Sequence, residues 1–163
     1  MTLDPTKREG LSPGDRKFLE IIERHGWHVM SVAPRLNSVE KEEWWSYSTG
    51  LFHSYQHPEI VVFGLDSGTG SSVINVVGTL IKSGKRFFPG VEYADVLEGN
   101  DCVFREMDRH HYYEYLGYSR WFYEGDAFPT LQLLWPDLNG KYPWDPTCSS
   151  GVVELQPLMF KQS

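Results

Sequence analysis

The sequence predicts an α+β fold: one domain, built on a mixed and mostly antiparallel sheet with two or three helices. Three observations predict it. Strand-type runs such as "HPEIVVFGL" and "FPTLQLLW" outnumber the stretches with helical periodicity. Glycine, proline and Asn-Gly punctuate the chain at short intervals. No internal repeat and no linker divides the 163 residues, a length that suits a single core.

In chain order, residues 1–11 are polar and are expected as a flexible arm before a single domain over 12–163. "SPGDRKFLEIIERHG" reads as a helix. Ser12 caps it, Pro13 fits the first helical position, and Asp15 suits the positive end. Phe18, Leu19 and Ile22 form its apolar face, and Gly26 ends it. "WHVMSVA" is the first strand, "PRLNSVEKEE" a polar loop, and "WWSYSTGLF" a second strand paired with the first. The unbroken Ile60-Val61-Val62-Phe63 run marks a strand buried on both faces. "DSGTG" turns the chain into the helix "SSVINVVGTLIKSG", with Val73, Ile74, Val77, Leu80 and Ile81 at helical spacing and Gly84 past its end. Residues 85–107 read as strands around the Glu98-Gly99-Asn100 turn, and the aromatic 108–125 stretch as a helix broken at Gly117. "FPTLQLLW" is the last good strand, stopped at Pro136, and "SGVVELQPL" is expected as an added edge strand.

Charge excludes some function classes. A net charge of −7 and a pI near 5.3 oppose a sequence-independent grip on nucleic acid, which needs clustered cations. The same surface suits a basic protein partner. Two cysteines without a CxxC are expected as reduced thiols of a soluble cytoplasmic protein. The N-terminus has no apolar stretch of the secretory kind, no run reaches membrane-spanning length, and no cofactor fingerprint is present.

Two blocks carry a resemblance. "YSTGLFHSYQHPEIVVFGL" and, later, "LQLLWPDLNGKYPW" hold Thr49, Gly50, Leu51, His57, Pro58, Glu59, Gln132, Trp135, Pro136, Asp137, Gly140, Pro143 and Trp144 in a fixed order. With these landmarks the chain resembles the bacterial family of unknown function DUF4262, over a span from Gly26 to Trp144. The resemblance implies a fold and a compartment and brings no catalytic assignment.

Each candidate for chemistry has a plain structural reading beside it. "GLDSGTGSSVINVV" presents a glycine-rich turn before a helix, a setting that attracts anions. It lacks the lysine of a phosphate loop, and a plain β–α turn capped by Ser71 or Thr69 is the expected reading. His53 and His57 are four apart, the spacing of two ligands on one helical face, but Pro58 disfavours a helix there. His110 and His111 point about 100° apart on a helix and cannot share a metal. Cys102 lies in an apolar strand pattern and is expected to be inert, and Cys148 lies in a polar tail. His57, Glu59 and Asp137 are the catalytic candidates, and Asp137 with Asp145 offers another carboxylate pair. The aromatic 108–125 stretch is divided between core and a groove wall. In the 131–146 block, Asp137 to Gly140 has turn chemistry throughout, and Trp135 and Trp144 are expected to clamp the turn from both sides. Tyr47, Thr49, Trp135, Asp137 and Trp144 are the candidate binding residues.

Two function classes follow. The first is a protein-binding module, such as an immunity or antitoxin-type inhibitor, steered by acidic charge onto a basic partner and anchored by aromatics. The alternative is a small enzyme or ligand-binding protein with a pocket near His57, Glu59 and Asp137, with or without a metal.

Overall fold

The computed structural model describes residues 8–34 and 43–161. Most of the expected arm (1–7) and of the loop after the first strand (35–42) lie outside them. A six-stranded sheet runs in the order β1-β2-β3-β6-β5-β4. Its strands are β1 (His28–Val32), β2 (Trp45–Thr49), β3 (Glu59–Phe63), β4 (Glu92–Leu97), β5 (Asn100–Glu106) and β6 (Thr130–Leu134). Every neighbouring pair is antiparallel except β3 with β6. The α+β class and the mostly antiparallel sheet are therefore as the sequence predicts.

The helices correct the expectation of two or three. Among the described residues there are six: α1 (Pro13–His25), α2 (Leu51–Tyr55), α3 (Ser67–Lys82), α4 (Tyr112–Tyr115), α5 (Gly117–Tyr123) and α6 (Ser150–Leu155). α1 forms as its signals dictate. Ser12 accepts the Asp15 N–H at 3.1 Å, and Gly26 caps the other end with φ +94°. α3 begins earlier than expected, because Asp66 rather than Ser71 or Thr69 caps it. The Asp66 carboxylate accepts the Thr69 N–H at 2.9 Å and its hydroxyl at 3.0 Å. The aromatic stretch breaks at Leu116, one residue before Gly117, into α4 and α5.

α6 replaces the edge strand expected from Val152 and Val153. β6 lies between β3 and β5, so no free edge remains beside it. The Gln156 side chain does what a strand would have done. Its amide oxygen accepts the Trp135 N–H at 3.0 Å and its amide nitrogen donates to the Trp135 carbonyl at 2.8 Å.

β3 is buried along its whole length, which explains its unbroken apolar run. Val61 and Phe63 face a core shared with α1, α4 and α5; Ile60 and Val62 face α3, around Ile74, Val77 and Ile81. The sheet is thus the middle of three layers. No helix among the described residues is long and apolar enough to cross a membrane.

Between β2 and α2 the chain turns through Gly50, at φ +117°. A side chain there would also meet the Gly26 carbonyl at 2.6 Å and the Trp27 Cα at 3.0 Å. Gly84 has a similar φ of +107° but open space around it. Gly50→Ala should lower the unfolding free energy by about 2–5 kcal/mol, strain and backbone collision together, and Gly84→Ala by about 1–2 kcal/mol from strain alone. Denaturant midpoints of the two variants check the difference, and equal losses would remove the collision from the account.

Candidate functional site

Glu59 is 1% exposed and no cation faces it among the described ion pairs. Five donors do. Ser48 donates its hydroxyl to Oε1 at 2.8 Å, and the Gly50 N–H reaches Oε2 at 2.8 Å. The N–H groups of Leu51 and Phe52 follow at 3.1 and 3.3 Å, and the Tyr123 hydroxyl completes the set. Backbone N–H groups only donate. Ser48 accepts the Ile60 N–H and Tyr123 the His53 N–H, which leaves the single proton of each hydroxyl free for Glu59. A set of five donors fits the carboxylate form. Burial raises the Glu59 pKa above its ordinary range, against the pull of these hydrogen bonds. Burial and the facing carboxylate push the Tyr123 phenol up as well.

His57 is fully buried and equally determined. Its Nδ1–H donates to the Pro58 carbonyl at 2.9 Å, and its Nε2 accepts the Phe87 N–H at 3.0 Å. That pattern is the neutral imidazole, and burial lowers its pKa from 6.5.

Asp137 is elsewhere. Glu59 is opposite Thr130 at the start of β6, and Asp137 lies beyond the other end of that strand, which is itself about 13 Å long from Thr130 to Leu134. There it accepts the N–H groups of Asn139, Lys141 and Ser149, each at 2.9 Å, which hold its carboxyl below the usual range. The structure thus does not bring His57, Glu59 and Asp137 to one pocket. Among the described residues no three His, Cys, Asp or Glu are grouped to hold a metal ion.

The candidate binding residues separate in the same way. Tyr47 and Thr49, two of the candidate binding residues, are 3% and 0% exposed and lie in the core. Tyr47 accepts the Tyr118 N–H at 3.0 Å and Thr49 shares a hydrogen bond with Ser119 at 2.6 Å, so both tie β2 to α5. Trp135 is half-buried, with its indole N–H on the Phe63 carbonyl at 2.9 Å. Trp144 does not face it across the turn. It stacks on Tyr142, ring centroids 4.9 Å apart and planes 4° apart, and stays 40% exposed. The turn itself is as expected, with Gly140 at φ +78°. Of the 108–125 aromatics, Tyr112, Tyr115, Phe122 and Tyr123 are buried, Tyr113 and Tyr118 are exposed and Trp121 lies between, close to the even division expected. Burial raises the Cys102 thiol to about 12 and also raises Cys148, so neither is an activated nucleophile.

The surface feature not singled out in the sequence is the β4–β5 hairpin. Residues 87–104 hold Glu92, Asp95, Glu98 and Asp101 with no lysine or arginine, a run legible in the sequence had charge been read by segment. In the fold these carboxylates lie on β4, the turn after it and the start of β5, at one edge of the sheet; among the described ion pairs only Asp95 is paired, with Lys85 at 2.8 Å. Between the hairpin and the 136–142 turn is an open cleft of about 490 Å³, lined by Glu92, Asn100, Asp101, Pro136, Gly140 and Tyr142. Tyr142 has no hydrogen-bond partner for its hydroxyl among the described residues. Burial first, then the nearby Glu92 charge, raise that phenol to about 12. Glu92 and Asp101 line the cleft with no lysine or arginine beside them, which makes it acidic. Leu138 projects from the turn, fully exposed.

The model of the family described as Domain of unknown function (DUF4262) matches residues 21–149. No curated protein and no solved structure matches the chain.

Two measurements check the buried pair. Glu59→Gln puts an amide N–H₂ against backbone donors and should cost about 2–4 kcal/mol, since each orphaned buried group costs about 1–3 kcal/mol; Tyr123→Phe, which removes one donor, should cost less. For His57 the folded pKa is below the unfolded 6.5, so the unfolded chain takes up the proton first. Stability is full above pH 6.5 and falls as the pH drops below it. His28 and His111 shift the same way, so His57→Gln should flatten the decline in denaturant midpoint between pH 7.5 and 5 without abolishing it. An unchanged pH profile in that variant would show that His57 takes up its proton equally in both states.

Proposed function

The chain belongs to the DUF4262 family of domains of unknown function, and from the surface it presents we propose that it is a protein-binding module, of the immunity or antitoxin-type inhibitor kind, that docks a basic partner on its β4–β5 hairpin. One observation carries this reading. Glu92 and Asp101 stand without a cation among the described ion pairs, both on the hairpin side of an open cleft near the β4 edge of the sheet. Lysine or arginine side chains of a partner fit that potential, and the exposed Leu138 and Trp144 offer apolar contact beside it. Net charge −7 adds long-range steering of the same sign. The unpaired thiols Cys102 and Cys148 favour the cytoplasm as its compartment.

The enzyme reading draws no support from the positions of its residues, since His57 and Glu59 have spent their hydrogen-bonding capacity inside the core.

The test is capture of a partner from the native host, by wild-type protein and by a Glu92→Gln, Glu98→Gln, Asp101→Asn variant. The captured protein should be basic. The variant should bind it at least tenfold more weakly, and association with the wild type should slow as salt shortens the Debye length from about 30 Å at 0.01 M to about 8 Å at physiological strength. A partner held equally by the variant, at a salt-independent rate, overturns the proposal.

A further inference from the structure

β5 changes character along its length. Four residues beyond Asp101, about 14 Å along the strand, Arg105 opens a second cleft, of about 500 Å³. Arg109 and Lys161 line it too, with Met107, Phe160 and Pro89 as its apolar part. In a chain of net charge −7, three cations converge here, and none forms an ion pair among the described residues. Two carboxylates share the cleft. Asp108 is engaged locally, its Oδ1 accepting the His110 N–H at 3.2 Å and the ring Nδ1 of His110 at 2.7 Å. Glu106 is exposed and offsets one of the three cations.

Arg105 is pinned. Its guanidinium carbon lies 4.1 Å from the centroid of the Phe160 ring and 5.8 Å from that of Trp144. Phe160 is itself held by its neighbour: the Met159 N–H donates to Gln132 at 3.0 Å, and the Met159 carbonyl accepts the Asp108 N–H at 2.7 Å. The ring contact is made at the central carbon and consumes none of the N–H donors. Two of those donors on one edge make parallel hydrogen bonds to a carboxylate or phosphate. Because the side chain is already ordered, little conformational freedom is lost when a ligand arrives.

We infer that this cleft is an oxyanion-binding site, which takes the phosphate or carboxylate of a small organic ligand against Arg105 and Arg109, with the ligand's apolar body on Phe160 and Met107. It is separate from the acidic cleft and does not depend on a basic partner.

Calorimetric titration with inorganic phosphate, phenyl phosphate and benzoate at constant ionic strength tests it, with amide chemical shifts as the map. Phenyl phosphate should bind more tightly than inorganic phosphate, and the shifts should cluster at residues 105–109 and 158–161. Benzoate binding as tightly as phenyl phosphate assigns the site to carboxylates; weaker binding assigns it to phosphates. Arg105→Gln should weaken binding roughly tenfold or more, and Arg105→Lys, which keeps the charge and loses the planar fork, should recover only part of it. Glu106→Gln should tighten binding. If Arg105→Gln shifts the denaturation midpoint, Arg109→Gln carries the comparison instead. Shifts scattered over the surface, or affinity indifferent to these substitutions, overturn the inference.

Discussion

The fold depends on one buried carboxylate. Glu59 begins β3, and its side chain draws together the end of β2 through Ser48, the first turn of α2 through three backbone N–H groups, and the end of α5 through Tyr123. Its own N–H donates to the Pro129 carbonyl at 2.9 Å, just before β6. A buried anion without a counter-ion is tolerable only when its lone pairs are all engaged. That requirement constrains the surrounding backbone. Gly50 must be glycine to bring its N–H to Oε2 while passing close to Gly26, and Ser48 must lie so that it relays between Ile60 and the carboxylate. The Thr-Gly-Leu and His-Pro-Glu landmarks are therefore two halves of one device, and the device is architectural.

The second block has a matching logic at the other end of the strands. Gln132 is buried beneath the C-terminal segment and holds it at Pro157 and Met159, and Gln156 reaches back to the Trp135 backbone. Asp137 closes the turn and then accepts the Ser149 N–H, which sets where α6 begins. Polar side chains here substitute for main-chain pairing around β6, which has a strand on each side.

The α+β class and its mostly antiparallel sheet were legible where local signals agree: the caps of α1, the apolar run of β3, the Glu98–Asn100 turn and the Asn139-Gly140 tip. What was not legible came from distant partners. α2 has no side-chain cap of its own, because Gly50 has no side chain and Glu59, nine positions on, supplies the acceptor. Val152 and Val153 favour a strand, yet the segment folds as α6 and is tied to the Trp135 backbone through Gln156. The site residues misled for a related reason. Tyr47, Thr49, His57 and Glu59 are polar or amphipathic, and in sequence a polar residue destined for an internal hydrogen bond looks the same as one awaiting a ligand. The acidic hairpin escaped notice because its charges belong to a segment and not to a motif. The Arg105 cleft needs residues from β5, the turn after it and the C-terminal segment, which no spacing rule connects.

The central position of β6 has a consequence for how the protein is made. Before it is synthesised, the chain can assemble two separate antiparallel units, the β1-β2-β3 meander and the β4–β5 hairpin, each with one apolar inner strand whose hydrogen-bonding edge is open. β6 is the keystone that joins them, and Thr130 leaves the ribosome 67 positions after Phe63. At roughly 5–20 residues per second that is about 3–13 s during which the Ile60–Phe63 edge has no partner. Parallel pairing over such a separation forms late in any case, because loop closure must precede the contacts that reward it. The nascent chain is therefore most vulnerable to misassociation in that interval, and the vulnerability ends in a single step when β6 slots in.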